Sequence, residues 1–300
     1  MQRDELAFTT PATAPDWQRW MVFSPVARIV FFIVAILILT FAVHGAMVMA
    51  GFGSPKSSPL ERALAHALGQ WLTSLIAYLL LVRLIERRPA TELSLRTLPA
   101  WGGLGLLAGA ALFSVVTGLL WLLGVYHVSG TQPNVDWLPA VLSVGLGAGL
   151  YEEIISRGVL FRIVEEGLGT GAALIVSALF FGAAHIFNPG ATLWSSAAIA
   201  IEAGLMLGML YHVTRSLWAC VGLHAAWNVM QGTVFGIPVS GTDANGWLVS
   251  YRTGPAWLSG GVFGAEASVV ALLTCSLFTV ALVCIARRKR SFVAPSWRRH

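Results

Sequence analysis

The chain has 300 residues, 56% of them hydrophobic and only 11% charged, with a formal net charge of +5. A soluble domain carries about 25% charged residues, so composition excludes an ordinary water-soluble fold and points to an integral membrane protein. Membrane-surface contacts of a basic polypeptide account for the positive balance, and no nucleic-acid partner is needed to explain it.

The apolar runs predict an all-α polytopic helical bundle, because lipid cannot satisfy open backbone groups and a helix needs roughly 20 residues to cross the hydrocarbon core. In chain order, eight transmembrane helices are expected at 27–50, 63–84, 102–126, 139–164, 172–187, 195–212, 216–233 and 265–286. The stretch 1–28, with "TTPATAPDW", reads as an interfacial arm, and the first apolar run is too long for a signal-peptide core, so a retained anchor is expected. The predicted organisation is then three N-terminal helices within 29–136, a core at 137–233, an outer loop at 234–264 and a last helix with a basic tail at 265–300. That outer loop is expected either to cap the bundle or to form a re-entrant segment.

Counting Lys and Arg on alternate sides of these spans gives sixteen on one side, from Arg3 to Arg299, against Lys56, Arg62 and Arg252 on the other. The positive-inside rule then places both termini in the cytoplasm, in a multi-pass plasma-membrane protein. The high Arg to Lys ratio and compact loops point to a bacterial source. Cys220, Cys275 and Cys284 have no metal-site or CxxC spacing and are read as buried hydrophobes.

Charge inside the spans carries the functional information. In "YEEIISRGVL", Glu152, Glu153 and Arg157 lie in an apolar stretch, although each charge at mid-membrane costs roughly 2.5–3.5 kcal/mol on insertion scales. Glu153 and Arg157 are four apart and stack on one helix face, where they pair. Glu152 points about 100° away and is left needing another partner or a wet cavity. Downstream, "FGAAH" sets Phe181 and His185 on one face, and "HAAWN" does the same for His224 and Asn228. At 1.5 Å per residue from the cytoplasmic ends, Glu152 and Asn228 lie about 18 Å deep, His185 about 20 Å and His224 about 12 Å, so they can form one layer. Taken singly, these groups also fit an interhelical clamp or interhelical hydrogen bonds. Buried Glu and His are equally a mark of ion pathways, which keeps a transporter open, as is a non-catalytic scaffold.

The ordered motifs EExxxR, FxxxH and HxxxN resemble those of the CPBP family of intramembrane proteases, also called the Abi or type II CAAX prenyl endopeptidase family, over residues 139–233. The resemblance implies hydrolysis of a peptide bond in a membrane-associated peptide or protein. It assigns Glu152 and His185 to water activation, His224 and Asn228 to the oxyanion, and Glu153 and Arg157 to helix geometry. Phe181 is expected to pack around the site. No cofactor is expected; the alternative is a zinc-dependent protease with Glu152, His185 and His224 as ligands, although no HExxH helix is present. Glu202 is left as a support for the site, part of a proton path or a helix clamp, and His44, His66, His127 and His212 as structural or interfacial. "GLGAGL" before Tyr151 reads as small-residue helix packing.

Overall fold

The computed structural model describes residues 6–299; Arg3 and the first five residues of the predicted arm lie outside them. Helices dominate, and among the described residues six are long and apolar enough to cross a membrane. They comprise α1 (Pro25–Met49), α2 (Pro59–Ile85), α3 (Leu98–Leu122), a run of 51 residues over Trp137–Phe187, α6 (Leu193–Thr214) and α8 (Val269–Lys289). The expected eight spans are not all separate members of this set, and two places differ in detail. The fourth and fifth expected spans are joined in the 51-residue run, which Gly169 breaks with φ 80° and ψ 171° into α4 (137–168) and α5 (170–187). The seventh is α7 (Leu217–Val229), which a π-helical segment continues to Val234 and in which His224 and Asn228 are polar.

The break at Gly169 matters for function. A straight helix of 51 residues would be about 76 Å long, far beyond a hydrocarbon core of about 30 Å. Gly169 instead lets the chain double back, and a Cβ at this position would meet the backbone of Val293 and Pro295 at 2.6 and 2.9 Å. Arg157 and Phe181, equidistant in sequence from Gly169, then meet with the guanidinium 4.6 Å from the ring centroid. The antiparallel arrangement brings Glu152 of α4 to the level of His185 in the last turn of α5.

Close helix approach places α7 at the centre. Gly105 and Gly109 of α3 face it so tightly that a Cβ at Gly109 would sit 2.2 Å from the Leu223 carbonyl oxygen. On the other side, Gly145 and Gly149 of α4 face Ala225, so the small-residue stretch does pack helices as expected. Glu153, one turn beyond Gly149, is thereby set against His224. The core around α7 is closed, with Phe113, Leu120, Ile154, Phe161, Leu217 and Cys220 all fully buried.

The loop after α7 is a cap. Strand β1 (Tyr126–Thr131) pairs antiparallel with β2 (Leu248–Arg252), with an irregularity between Val128 and Gly130, and Tyr126 Oη donates to the Phe235 carbonyl at 2.8 Å. At the opposite end, Arg28, Glu86, Arg88, Glu92, Arg162 and Glu166 form a buried ionic network that ties α1, the end of α2 and α4 together. Cys220 and Cys275 are buried, but Cys284 is exposed, a correction to the expectation for all three. It lies on the outward side of α8, where an apolar thiol needs no protein partner because the neighbouring medium is itself apolar.

Candidate active site

Glu153 is fully buried, and its Oε1 accepts from Arg157 Nη1 at 2.8 Å and from His224 Nδ1 at 2.9 Å. The i, i+4 pair expected from the sequence is thus present, and it also holds an imidazole from another helix. Arg157 Nη2 donates to the carbonyls of Ala203 and Gly204 on α6, at 3.0 and 3.2 Å. One guanidinium therefore connects α4, α5 through the Phe181 ring, and α6. Such pairing offsets the desolvation that an isolated charge would suffer at this depth.

Glu152 takes the other direction. Its Oε2 lies 4.0 Å from His185 Nε2 and 3.9 Å from His224 Nε2. These separations are too long for direct hydrogen bonds, and Oε2 is a buried atom with no hydrogen-bond partner. His185 Nδ1 donates to the Phe181 carbonyl at 2.7 Å, which leaves the Nε2 lone pair of the neutral ring directed toward Glu152. The Phe181 ring lies 4.7 Å from the His185 ring and 6.2 Å from that of His224, edge-on to the latter. Asn228 Nδ2 donates to the Val144 carbonyl at 3.0 Å. Having two amide hydrogens, it retains one for a further acceptor.

Glu152, His185, His224 and Asn228 together line a cavity of ≈ 600 Å³. The four residues singled out from three helical segments are therefore brought to one place. Two groups of residues escaped sequence reasoning. His66, expected to be structural or interfacial, lines the same cavity, as do Arg62, Asp136 and Asp243 near its mouth; these positions belong to helix ends and loops with no motif context. Behind the two histidines, a cavity of ≈ 30 Å³ is lined by Glu202, Glu266 and Ser240 as well as His185, His224 and Asn228. Glu266 Oε1 accepts from the Ser240 backbone N–H and hydroxyl, both at 2.6 Å. Glu202 thus lies at the rear of the site, and Glu266 could have been found by the same search for buried charge. His212, with Nδ1 to Glu165 at 2.9 Å and Nε2 to Ser291 at 3.1 Å, is remote from the cavity lining.

A zinc ion held by Glu152, His185 and His224 at about 2.0–2.2 Å would require donors roughly 3.3–3.6 Å apart in tetrahedral geometry. The Glu152 separations are wider, and among the described residues no group of three His, Cys, Asp or Glu side chains is set to hold a metal ion. The donor set as it stands does not fit that ion.

Residues 134–230 match the family model for the Rce1-like type II CAAX prenyl endopeptidases, and this segment contains Glu152, His185, His224 and Asn228. No curated protein matches the chain. The matched segment carries EExxxR, FxxxH and HxxxN on neighbouring helices of one membrane bundle, and over these residues the chain is similar to the type II CAAX prenyl endopeptidases, which supports the CPBP resemblance.

Proposed function

We propose that the chain is an intramembrane endopeptidase that hydrolyses a peptide bond in a membrane-associated protein or peptide, with Glu152 as the general base. The observation that carries this reading is the placement of the unpartnered Glu152 Oε2 at 4.0 and 3.9 Å from two imidazole nitrogens, on the wall of the cavity. Two hydrogen bonds of about 2.8 Å meeting near a right angle span such a distance, so one water fits between Glu152 and His185.

In the proposed step the water donates one hydrogen bond to Glu152 and the other to His185, and its oxygen attacks the scissile carbonyl carbon. Glu152 takes the proton, the carbonyl π pair moves onto oxygen, and the oxyanion is met by His224 Nε2–H and the second hydrogen of Asn228 Nδ2. For that role His224 must carry protons on both nitrogens, Nδ1–H donating to Glu153 and Nε2–H left for the oxyanion. Collapse of the tetrahedral intermediate breaks the C–N bond, and Glu152 returns its proton to the departing amine. General base catalysis is typically worth 10²–10⁴-fold and one oxyanion donor about 10²–10³-fold, so the site needs both. Every step uses the chain's own residues, and none is routed through a metal.

The skew of Lys and Arg supports an orientation with both termini in the cytoplasm. Comparison of membrane peptides from cells carrying the wild type and Glu152→Gln tests the assignment. A set of new peptide ends present only with the wild type is expected; identical peptide sets would remove it.

A further inference from the structure

The two ends of the bundle differ in a way that bears on substrate class. The cavity runs from Glu152 toward one end only: its walls include the first turns of α2 at Pro59 and Arg62, the first turns of α4 at Pro139 and Ser143, Asn188 beyond α5, and Thr242 to Asn245 of the cap. In the opposite direction packed side chains fill the space below the site, and the separate cavity of ≈ 280 Å³ at that end, lined by Arg88, Glu92, Arg162, Glu165 and Arg215, shares no lining residue with the first. From Glu153 to Phe161, α4 is fully buried except at Ile155 and Leu160, which are half-buried, and the Glu153–Arg157 pair and the Phe181 ring lie directly below the site. Beyond them stands the buried ionic network around Arg162 and Glu86, at 2.9 Å.

Charge separates the same two ends. The filled end carries Arg83, Arg87, Arg88, Arg96 and the run Arg287 to Arg290, whereas the open end carries only Lys56, Arg62 and Arg252 among its basic residues. Excess Lys and Arg marks the cytoplasmic side. The cavity therefore opens away from it.

We infer that the active-site cavity is entered from the extracytoplasmic face, and that its substrate is an exported or membrane-inserted polypeptide presented on that side. A lipidated C-terminus of a cytoplasmic protein would approach from the Arg-rich end, where the side chains below Glu152 leave no passage. Arg62, His66, Asp136 and Asp243 offer polar contacts of both signs to a peptide backbone and its termini, while Ala140 and Val144 give an apolar wall deeper in. This inference rests on the proteolytic reading of the site and on the orientation given above.

Cysteine accessibility in intact cells tests it without requiring catalysis. In a Cys284→Ala background, whose other two thiols, Cys220 and Cys275, are buried, Asp243→Cys and Asn245→Cys mark the mouth and Arg96→Cys marks the opposite end. A membrane-impermeant maleimide should label both mouth positions before permeabilisation and Arg96→Cys only afterwards. A bulky impermeant reagent at Ser143→Cys, applied from outside, should also stop formation of the wild-type-specific peptide ends. Labelling of the mouth only after permeabilisation, with Arg96→Cys labelled from outside, overturns the inference. The two readings fail separately: outside labelling together with cleavage retained in Glu152→Gln removes the mechanism and leaves the side of access, whereas inverted labelling with Glu152-dependent cleavage does the reverse.

Discussion

Replacing Glu153 by Gln tests how the site is held in shape. Glu153 Oε1 accepts from Arg157 at 2.8 Å and from His224 at 2.9 Å in a fully buried setting, and its Oε2 has no partner. Hydrogen bonds to charged groups contribute about 1.5–3 kcal/mol each and neutral ones about 0.5–1.5, so the two together lose roughly 2–3 kcal/mol in the amide. Arg157 is also left buried without its counter-charge, which brings the expected cost of Glu153→Gln to about 3–5 kcal/mol. Arg157→Met should cost a similar amount, since it strands the carboxylate instead. The double variant strands neither charge, and it should fall short of the summed single costs by at least about 1 kcal/mol, as expected for groups in one network. Thermal and denaturant unfolding in detergent or nanodiscs reads these differences. Turnover should fall further than stability explains, because His224 Nδ1 keeps only a neutral, weaker acceptor to fix its ring, and loss of one oxyanion donor is worth about 10²–10³-fold. Additive single and double variants, or a Glu153→Gln protein with wild-type stability and turnover, would refute the reasoning.

Gly109→Ala should destabilise by about 1–3 kcal/mol and lower kcat, because its Cβ would meet the Leu223 backbone at 2.2 Å and push α7, with His224, off the α3 face; Gly118→Ala, with nothing within 4 Å, is the control that should do neither. His185→Ala should cut turnover by about 10²–10⁴-fold with little change in unfolding temperature, since its Nδ1 bonds only within its own helical turn. At the Arg-rich end, burial pushes the Glu86 carboxyl up, but the guanidinia of Arg162, Arg88 and Arg28 outweigh it and hold the group below its ordinary 4.5. A folded-state value below the unfolded one means that this contribution is fully present above about pH 4.5 and is lost as pH falls through the folded value. Unfolding temperature should therefore drop as the solution is acidified below pH 4.5, and less steeply in Arg28→Met; a flat profile in the wild type would contradict the assignment.

Much of the site was legible because membrane depth makes charge expensive. Glu152, Glu153 and Arg157 stand out in an apolar run for that reason, and helical spacing alone separates the paired Glu153 from the spare Glu152. His185, His224 and Asn228 could be brought to the same level from rise per residue, and α4 and α5 do fold back around Gly169 as that estimate requires. What the pattern lacked was partner information between helices. Nothing in the spacing says that His224 is tied to Glu153 through Nδ1, or that Glu266 folds back to accept from Ser240 behind the histidines. The cap was undecided because its strands, 126–131 and 248–252, are short and separated by most of the core, so no local alternation announces their pairing. The number of spans depends on α7, whose polar groups lower its apolarity while its neighbours bury it.

The most direct test of the central claim is the turnover of Glu152→Gln in purified, reconstituted protein, on a peptide whose cleavage the wild type performs. Glu152 is half-buried and makes no hydrogen bond through Oε2, so the amide should fold with an unchanged unfolding temperature while kcat falls by at least about 10²-fold. Cleavage at a rate near that of the wild type by the folded variant would mean that the water is activated elsewhere.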